Sequence, residues 1–174
     1  MAEKLDRHNF DSAWLVPAAT REKYTKFHHR PVEECGARAR IKRHITDAVV
    51  DHHIVPEALA GALARRGFTK AKAILLERLP TESRTRTGNF GEVLASEHLR
   101  QRYGYDMPVF KLRYMDNPHM PMRGEDLVAF RLNTKRVIIA LCVGQSKAMQ
   151  AFDSREVEDG CAAVTWVGIA WVAR

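Results

Sequence analysis

Two apolar runs joined by a short polar turn constrain this chain more than any other feature. Leu127-Val128-Ala129-Phe130-Arg131-Leu132 and Val137-Ile138-Ile139-Ala140-Leu141-Cys142-Val143 have strand length and composition, and Asn133-Thr134-Lys135-Arg136 connects them. The pair predicts a β-hairpin. Side chains two apart on a strand share a face, so Gln145 and Lys147, at the end of the second strand, project together. In an antiparallel pair the start of one strand lies beside the end of the next, which brings Asp126 to the same edge. The expectation is a carboxylate, an amide and an ammonium around one spot, held by apolar strands. On these residues alone the competing reading is a hairpin end carrying solvated charges.

An acidic residue followed at a distance by Glu-x-Lys would be the signature of a metal-dependent phosphodiesterase; here Gln145 stands at the Glu position. Two carboxylates hold Mg²⁺, which prefers oxygen ligands and keeps several waters. The cation and the Lys lower the cost of making hydroxide and of building charge on phosphate. A Gln keeps one oxygen donor and removes a unit of negative charge.

The 174 residues suit one domain with a real core, and no apolar run approaches the length a membrane helix needs. Glu3 and Asp6 stand where a signal peptide would be apolar, so a cytoplasmic location is expected. Cys35, Cys142 and Cys161 are odd in number and widely spaced, and read as reduced thiols. The net charge of +7 is uneven: residues 1–86 carry 17 Lys or Arg against 11 Asp or Glu, and residues 87–174 carry 11 against 10. A basic front half beside a nearly neutral half fits a nucleic-acid surface joined to a site, with a solubilising excess of Arg as the plainer reading.

Along the chain, Trp14-Leu15-Val16 before Pro17 is a short apolar patch, an edge strand or docking segment. From Pro31 the pattern turns helical, with Ile41, Ile45, Ala48 and Val49 at helical spacing and Arg38, Arg40, Lys42 and Arg43 on the other face. That basic face is a candidate for phosphate contact; a solvated face is the commoner use. His44, His52 and His53 lie on or near this helix without a carboxylate or Cys at zinc-ligand spacing. A second helix starts at Pro56 and stops near Gly67, and a third runs from Thr69 to Leu79, ended by Pro80. Residues 81–87, with Arg84 and Arg86, read as a basic loop and an internal boundary. A helix over 89–103 follows, with Glu92 near its start between costly glycines and Gly104 at its end. Period-two alternation predicts a strand over 108–114. Beyond Lys147, a helical segment over 148–159 and a buried strand over 162–172 complete the chain.

The order of helix with an early Glu, strand, strand beginning at Asp, strand ending in Lys, helix and strand resembles the PD-(D/E)XK nuclease superfamily. More narrowly, Gly88-Asn89-Phe90-Gly91-Glu92, the turn Arg123-Gly124-Glu125-Asp126 and Val143-Gly144-Gln145-Ser146-Lys147-Ala148 are similar to the HamA nuclease subunits of the Hachiman anti-phage defence system, over about residues 85–152. The resemblance implies an α/β (α+β) fold: a basic helical part over 1–84, then a restriction-endonuclease-like mixed β-sheet core flanked by helices over 85–174, in one continuous domain or a C-terminally shortened one. It implies Asp126 as principal metal ligand, Gln145 in the position of the second carboxylate, and Glu92 reaching the metal directly or through water. Lys147 would orient the water or steady the charged transition state. Glu125 is set aside because consecutive strand residues face opposite ways. The cofactor implied is Mg²⁺ (or Mn²⁺), the substrate DNA and the partner a HamB-like helicase subunit. Arg38, Arg40, Lys42, Arg43, Arg84 and Arg86 are the candidate nucleic-acid contacts. The alternative is a catalytically inactive nucleic-acid-binding or assembly module that kept the fold and lost the charge at 145.

Overall fold

A computed structural model describes residues 9–23, 26–120, 123–149 and 168–172. The fold is α+β. A short helix α1 (Phe10–Trp14) runs directly into strand β1 (Leu15–Lys23), which pairs antiparallel with β2 (Lys26–Glu33). The helix expected from Pro31 begins instead at Ala37, as α2 (Ala37–His53), because Pro31 belongs to β2 opposite Pro17. In a two-stranded ribbon every strand has a free edge, so a proline without an N–H costs no ladder bond there. Gly36, at φ 73°, supplies the left-handed turn between strand and helix.

Helix α2 buries Ala37, Ile41, Ala48 and His52, positions that recur at helical spacing. Ala37, Ile41 and Ala48 form one core cluster with Phe10 and Trp14 of α1, Leu15 of β1, and Val93, Leu94, Leu112 and Met115. Ile41 is fully buried, and truncating such a residue to Ala typically costs about 2–5 kcal/mol. Helix α3 (Pro56–Arg78) is broken at Gly67, where φ 73° and ψ 172° leave the helical region. The stop expected at that glycine is therefore present as a kink.

Helix α4 (Ser83–Tyr103) begins six residues before the expected start at Asn89, so most of the segment read as a basic loop is helical. Gly88 and Gly91 lie inside the helix rather than at its start, and Gly91 is a packing position. A Cβ on Gly91 would lie 2.7 Å from Ala148 Cβ and 2.9 Å from Ser146 Oγ, so glycine lets the helix backbone approach the sheet. Every residue from Val93 to Leu99 is buried, because α4 has the first core cluster on one side and the sheet on the other. Ala95 and Leu99 pack with Leu127, Ala129 and Cys142. Gly104, at φ 66°, ends the helix.

The strand expected over 108–114 is a 3-10 turn at Lys111–Tyr114, preceded by an isolated bridge between Asp106 and Phe130. Burial of both Leu112 and Met115 in one cluster requires a three-residue repeat, which the alternating pattern conceals. The hairpin is present as β3 (Leu127–Leu132) and β4 (Ile138–Met149), antiparallel with Leu127 opposite Gly144. Asn133 Oδ1 accepts from the N–H groups of Lys135 and Val137, both at 2.9 Å, and closes the turn. β4 then pairs in parallel with β5 (Gly168–Val172), Gln145 opposite Gly168, giving a mixed sheet of order β3-β4-β5. Ala148 and Met149 extend β4; the rest of the segment expected to be helical, and residues 162–167 of the last expected strand, lie outside the described residues. Among the described residues no helix is long and apolar enough to cross a membrane.

Candidate metal centre

The sheet creates a site by changing partners. The β3 ladder stops at Leu127–Gly144, and from Gln145 onward β4 is bonded on its other side to β5. Ser146 has lost its β3 neighbour, and its N–H would be left without an acceptor on that side. Asp126, one residue ahead of β3, takes the role: Oδ2 accepts the Ser146 N–H at 2.9 Å. Its other oxygen, Oδ1, accepts from Lys111 Nζ at 3.2 Å, and the same ammonium reaches Gly124 O at 3.3 Å. Both partners of that ion pair are largely sheltered, with side-chain exposures of 14% and 16%. Lys111 is delivered by a fixed turn: the next residue, Leu112, is buried in the core, and Arg113 Nε donates to Asp51 O at 2.7 Å.

Glu92 enters from α4, one residue past the glycine that touches β4. Burial pushes its carboxyl up to about 7, and the negative charge of Asp126 adds to the rise, while Lys111 opposes it. Ser146 Oγ is buried nearby and finds no hydrogen-bond partner among the described residues. Two repelling carboxylates, one ammonium and an orphan hydroxyl therefore occupy the notch where β4 switches partner.

Gln145 and Lys147 approach the notch differently. Ser146 and Ala148 face Gly91 of α4, so the pleat turns Gln145 and Lys147 to the opposite face of β4. Gln145 Nε2 donates to Glu125 Oε2 at 2.8 Å, and Lys147 is half-buried. Asp126 meets β4 at the backbone of the residue between them. The structure thus groups Asp126 with Glu92 and Lys111, and Gln145 with Glu125. Lys111 escapes a reading of the sequence because a polar residue in an alternating segment looks like the solvent side of a strand. Glu125 and Asp126 part to different partners, as the face rule expects, and it is Glu125 rather than Asp126 that meets Gln145.

Among the described residues no group of three or more His, Cys, Asp and Glu side chains converges. The donors at the notch are the carboxylates of Glu92 and Asp126 and the Ser146 hydroxyl, while Gln145 is bonded to Glu125 on the other face. All are hard oxygens, and that short set fits a cation such as Mg²⁺ that retains much of its water.

The basic candidates are scattered. Arg38 bonds both carboxylate oxygens of Glu33 at 2.7 and 2.8 Å, and Arg40 pairs with Glu34 at 2.8 Å. Arg43 lies 4.0 Å from Asp47, and Lys42 is exposed. Arg84 and Arg86 are exposed near the start of α4, the helix that carries Glu92. Much of the positive charge on α2 is thus locally balanced.

A second polar cluster, buried between α2 and α4, has no signature in the sequence. His52 Nε2–H donates to Glu97 Oε1 at 2.8 Å, while Arg100 and Gln101 donate to Glu97 Oε2 at 2.6 and 2.7 Å. Burial would raise the Glu97 carboxyl, but the His52 hydrogen bond and the Arg100 charge outweigh it and hold it below the usual value. Burial keeps His52 below the ordinary imidazole value, hence neutral, although the Glu97 hydrogen bond opposes the shift. Next to it, His53 Nδ1–H donates to Val49 O at 2.8 Å and its Nε2 accepts from Asn89 at 3.2 Å. His98 donates to Asp11 at 2.8 Å, tying α4 to α1. The His52–Glu97, His53–Asn89 and His98–Asp11 partners lie 36 to 87 residues apart, beyond any local pattern.

Comparison with known proteins adds a family. The HamA family profile matches residues 8–162. The Hachiman protein HamA of Bacillus cereus is 33% identical over 84 residues, which is 48% of this chain and 29% of that relative. The aligned stretch is thus less than a third of the relative's length.

Proposed function

The chain belongs to the HamA family, and on that premise we propose that it is a metal-dependent DNA nuclease subunit of an anti-phage defence system, acting with a helicase subunit. The observation that carries this reading is the pair Glu92 and Asp126 at a sheltered notch, where burial first and then the like charge of Asp126 push Glu92 up to about 7. A protein has little structural reason to bury two repelling carboxylates, and perturbed groups of this kind gather at functional sites.

In this mechanism Glu92 and Asp126 would hold Mg²⁺ or Mn²⁺. When bound, the cation makes its water easier to deprotonate and stabilises charge on the phosphate. Asp126 stays oriented because its second oxygen is anchored to the Ser146 N–H. Gln145 turns its amide oxygen inward if its bond to Glu125 is given up. Lys147 offers an ammonium from the same strand face, to orient the attacking water or oppose charge on the phosphate. Arg84 and Arg86, near the start of the helix bearing Glu92, steer the backbone of DNA toward the notch. A second reading, a nucleic-acid-binding module without catalysis, draws support from Gln145, whose amide is engaged by Glu125 rather than by the notch.

The test is DNA cleavage with Mg²⁺ or Mn²⁺, alone and with a helicase subunit. Weak cleavage by the natural sequence, a gain of about tenfold or more in Gln145→Glu and loss in Asp126→Asn are the expected outcomes. Lys147→Ala should remove the gain. Intact folding and DNA binding without cleavage in any of these proteins would establish the binding-module reading instead.

A further inference from the structure

We propose that Lys111 is the resident counter-ion of the notch: its ammonium occupies Asp126 in the metal-free protein and must leave when a divalent cation takes that carboxylate. The inference rests on the reading of Glu92 and Asp126 as cation ligands and adds a residue to it.

The two oxygens of Asp126 are not equivalent. Oδ2 is committed to the Ser146 N–H, a bond that replaces the missing rung of the β3 ladder. Oδ1, the oxygen without a backbone partner, is the one that Lys111 holds at 3.2 Å, so a cation that takes Oδ1 meets the ammonium. A dication at metal-ligand distance from Oδ1 would stand within a few ångströms of the ammonium, in a sheltered place where like charges repel strongly. That repulsion disfavours holding both at their resting positions.

Lys111 is not an accidental surface contact. Its backbone is held by the 3-10 turn, with Leu112 in the core and Arg113 bonded to Asp51 O and stacked over Phe110 at 4.4 Å. Only the flexible stem is free to move. The ammonium already has a second acceptor, Gly124 O at 3.3 Å, on the loop that leads to Asp126. Pivoting on that carbonyl would clear Oδ1 without unfolding the turn. Once displaced, the ammonium lacks an anionic partner next to a bound cation, and a backbone phosphate of DNA supplies one. Metal and phosphate binding are then coupled through Lys111, each favouring the other.

The experiment measures binding of Mn²⁺ alone to the whole chain at a fixed pH of about 8, above the ordinary carboxylate range, by the paramagnetic resonance of free Mn²⁺. The proteins are the natural sequence, Lys111→Met, Lys111→Arg and Asp126→Asn, each checked for folding by circular dichroism. We expect Lys111→Met to bind Mn²⁺ about tenfold more tightly than the natural sequence, Lys111→Arg to stay close to it and Asp126→Asn to lose binding. Adding duplex DNA should tighten Mn²⁺ binding in the natural sequence and do so less in Lys111→Met. A folded Lys111→Met that binds Mn²⁺ no better than the natural sequence, with Asp126→Asn still defective, overturns the role of Lys111 and leaves the metal site standing. Absence of Mn²⁺ binding in every protein, or full binding by Asp126→Asn, overturns the metal reading and this inference together. Should Lys111→Met fail to fold, Lys111→Gln serves in its place with the same expected outcome.

Discussion

Glu92 and Glu97 stand on one helix, both sheltered from water, and their surroundings push them in opposite directions. Glu97 receives His52, Arg100 and Gln101 and is held ionised below the usual carboxylate value. Glu92 faces Asp126 and is raised to about 7 by burial and by that like charge. One glutamate ties two helices together, while the other carries strain that nothing in its own helix relieves. Burial therefore does not decide whether a carboxylate is structural; its partners do. The difference separates a framework half of α4 from a half available for chemistry.

The largest test of that contrast is Glu97→Gln. It replaces the carboxylate that accepts from His52, Arg100 and Gln101 with a neutral amide, and hydrogen bonds to a charged group are worth about 1.5–3 kcal/mol each, so weakening three together should cost about 3 kcal/mol or more. Urea denaturation at neutral pH should show a loss of that order. A cost below about 1 kcal/mol would mean that Glu97 is not the keystone of its cluster.

Glu92→Gln should act in the opposite sense. Because the folded-state value is raised from 4.5 to about 7, Glu92 favours the fold fully below pH 4.5, and that contribution is lost as pH rises through about 7. Removing the charge should therefore stabilise the metal-free protein by about 1–3 kcal/mol at pH 8 and by little at pH 4. Mg²⁺ or Mn²⁺ should raise the melting temperature of the natural sequence at pH 8 and raise that of Glu92→Gln less. Equal shifts in the two proteins would remove Glu92 from the metal site.

The framework cluster should show its own pH response. The value of His52 is lowered on folding, so its contribution is present above 6.5 and declines as pH falls below that value. Glu97, also lowered, adds a further loss as pH drops through and below the carboxylate range. Replacing His52 with Gln should flatten the decline between about pH 6.5 and 5, measured by urea midpoints across that interval.

The smallest effect belongs to the surface. Arg38→Ala or Arg40→Ala removes an exposed ion pair and should change stability by less than about 1 kcal/mol. If α2 serves nucleic acid, charge reversal at Arg38, Arg40, Lys42 and Arg43 should still weaken DNA binding, and the salt dependence of affinity should become shallower.

Features governed by neighbours along the chain are legible in the residues themselves. The apolar runs and the Asn133 turn set the hairpin, since period-two burial and side-chain capping are local. Gly67 and Gly104 mark breaks because positive φ is costly for other residues. Pro31 and the segment around Lys111 mislead, because a two-stranded ribbon and a core-anchored 3-10 turn depend on what packs beside them. Asp126 and Glu92 stand out as acids in suggestive places, yet their opposition across the notch exists only once α4 rests on β4 through Gly91. The same holds for Lys111 on Asp126 and for His52 on Glu97. The sequence by itself determined where strands and helices can run, because those choices are made by each residue with its nearest neighbours. Tertiary structure alone decided which charges meet, because Coulomb interaction and desolvation depend on distance and burial, and neither is written in the spacing of residues along a chain.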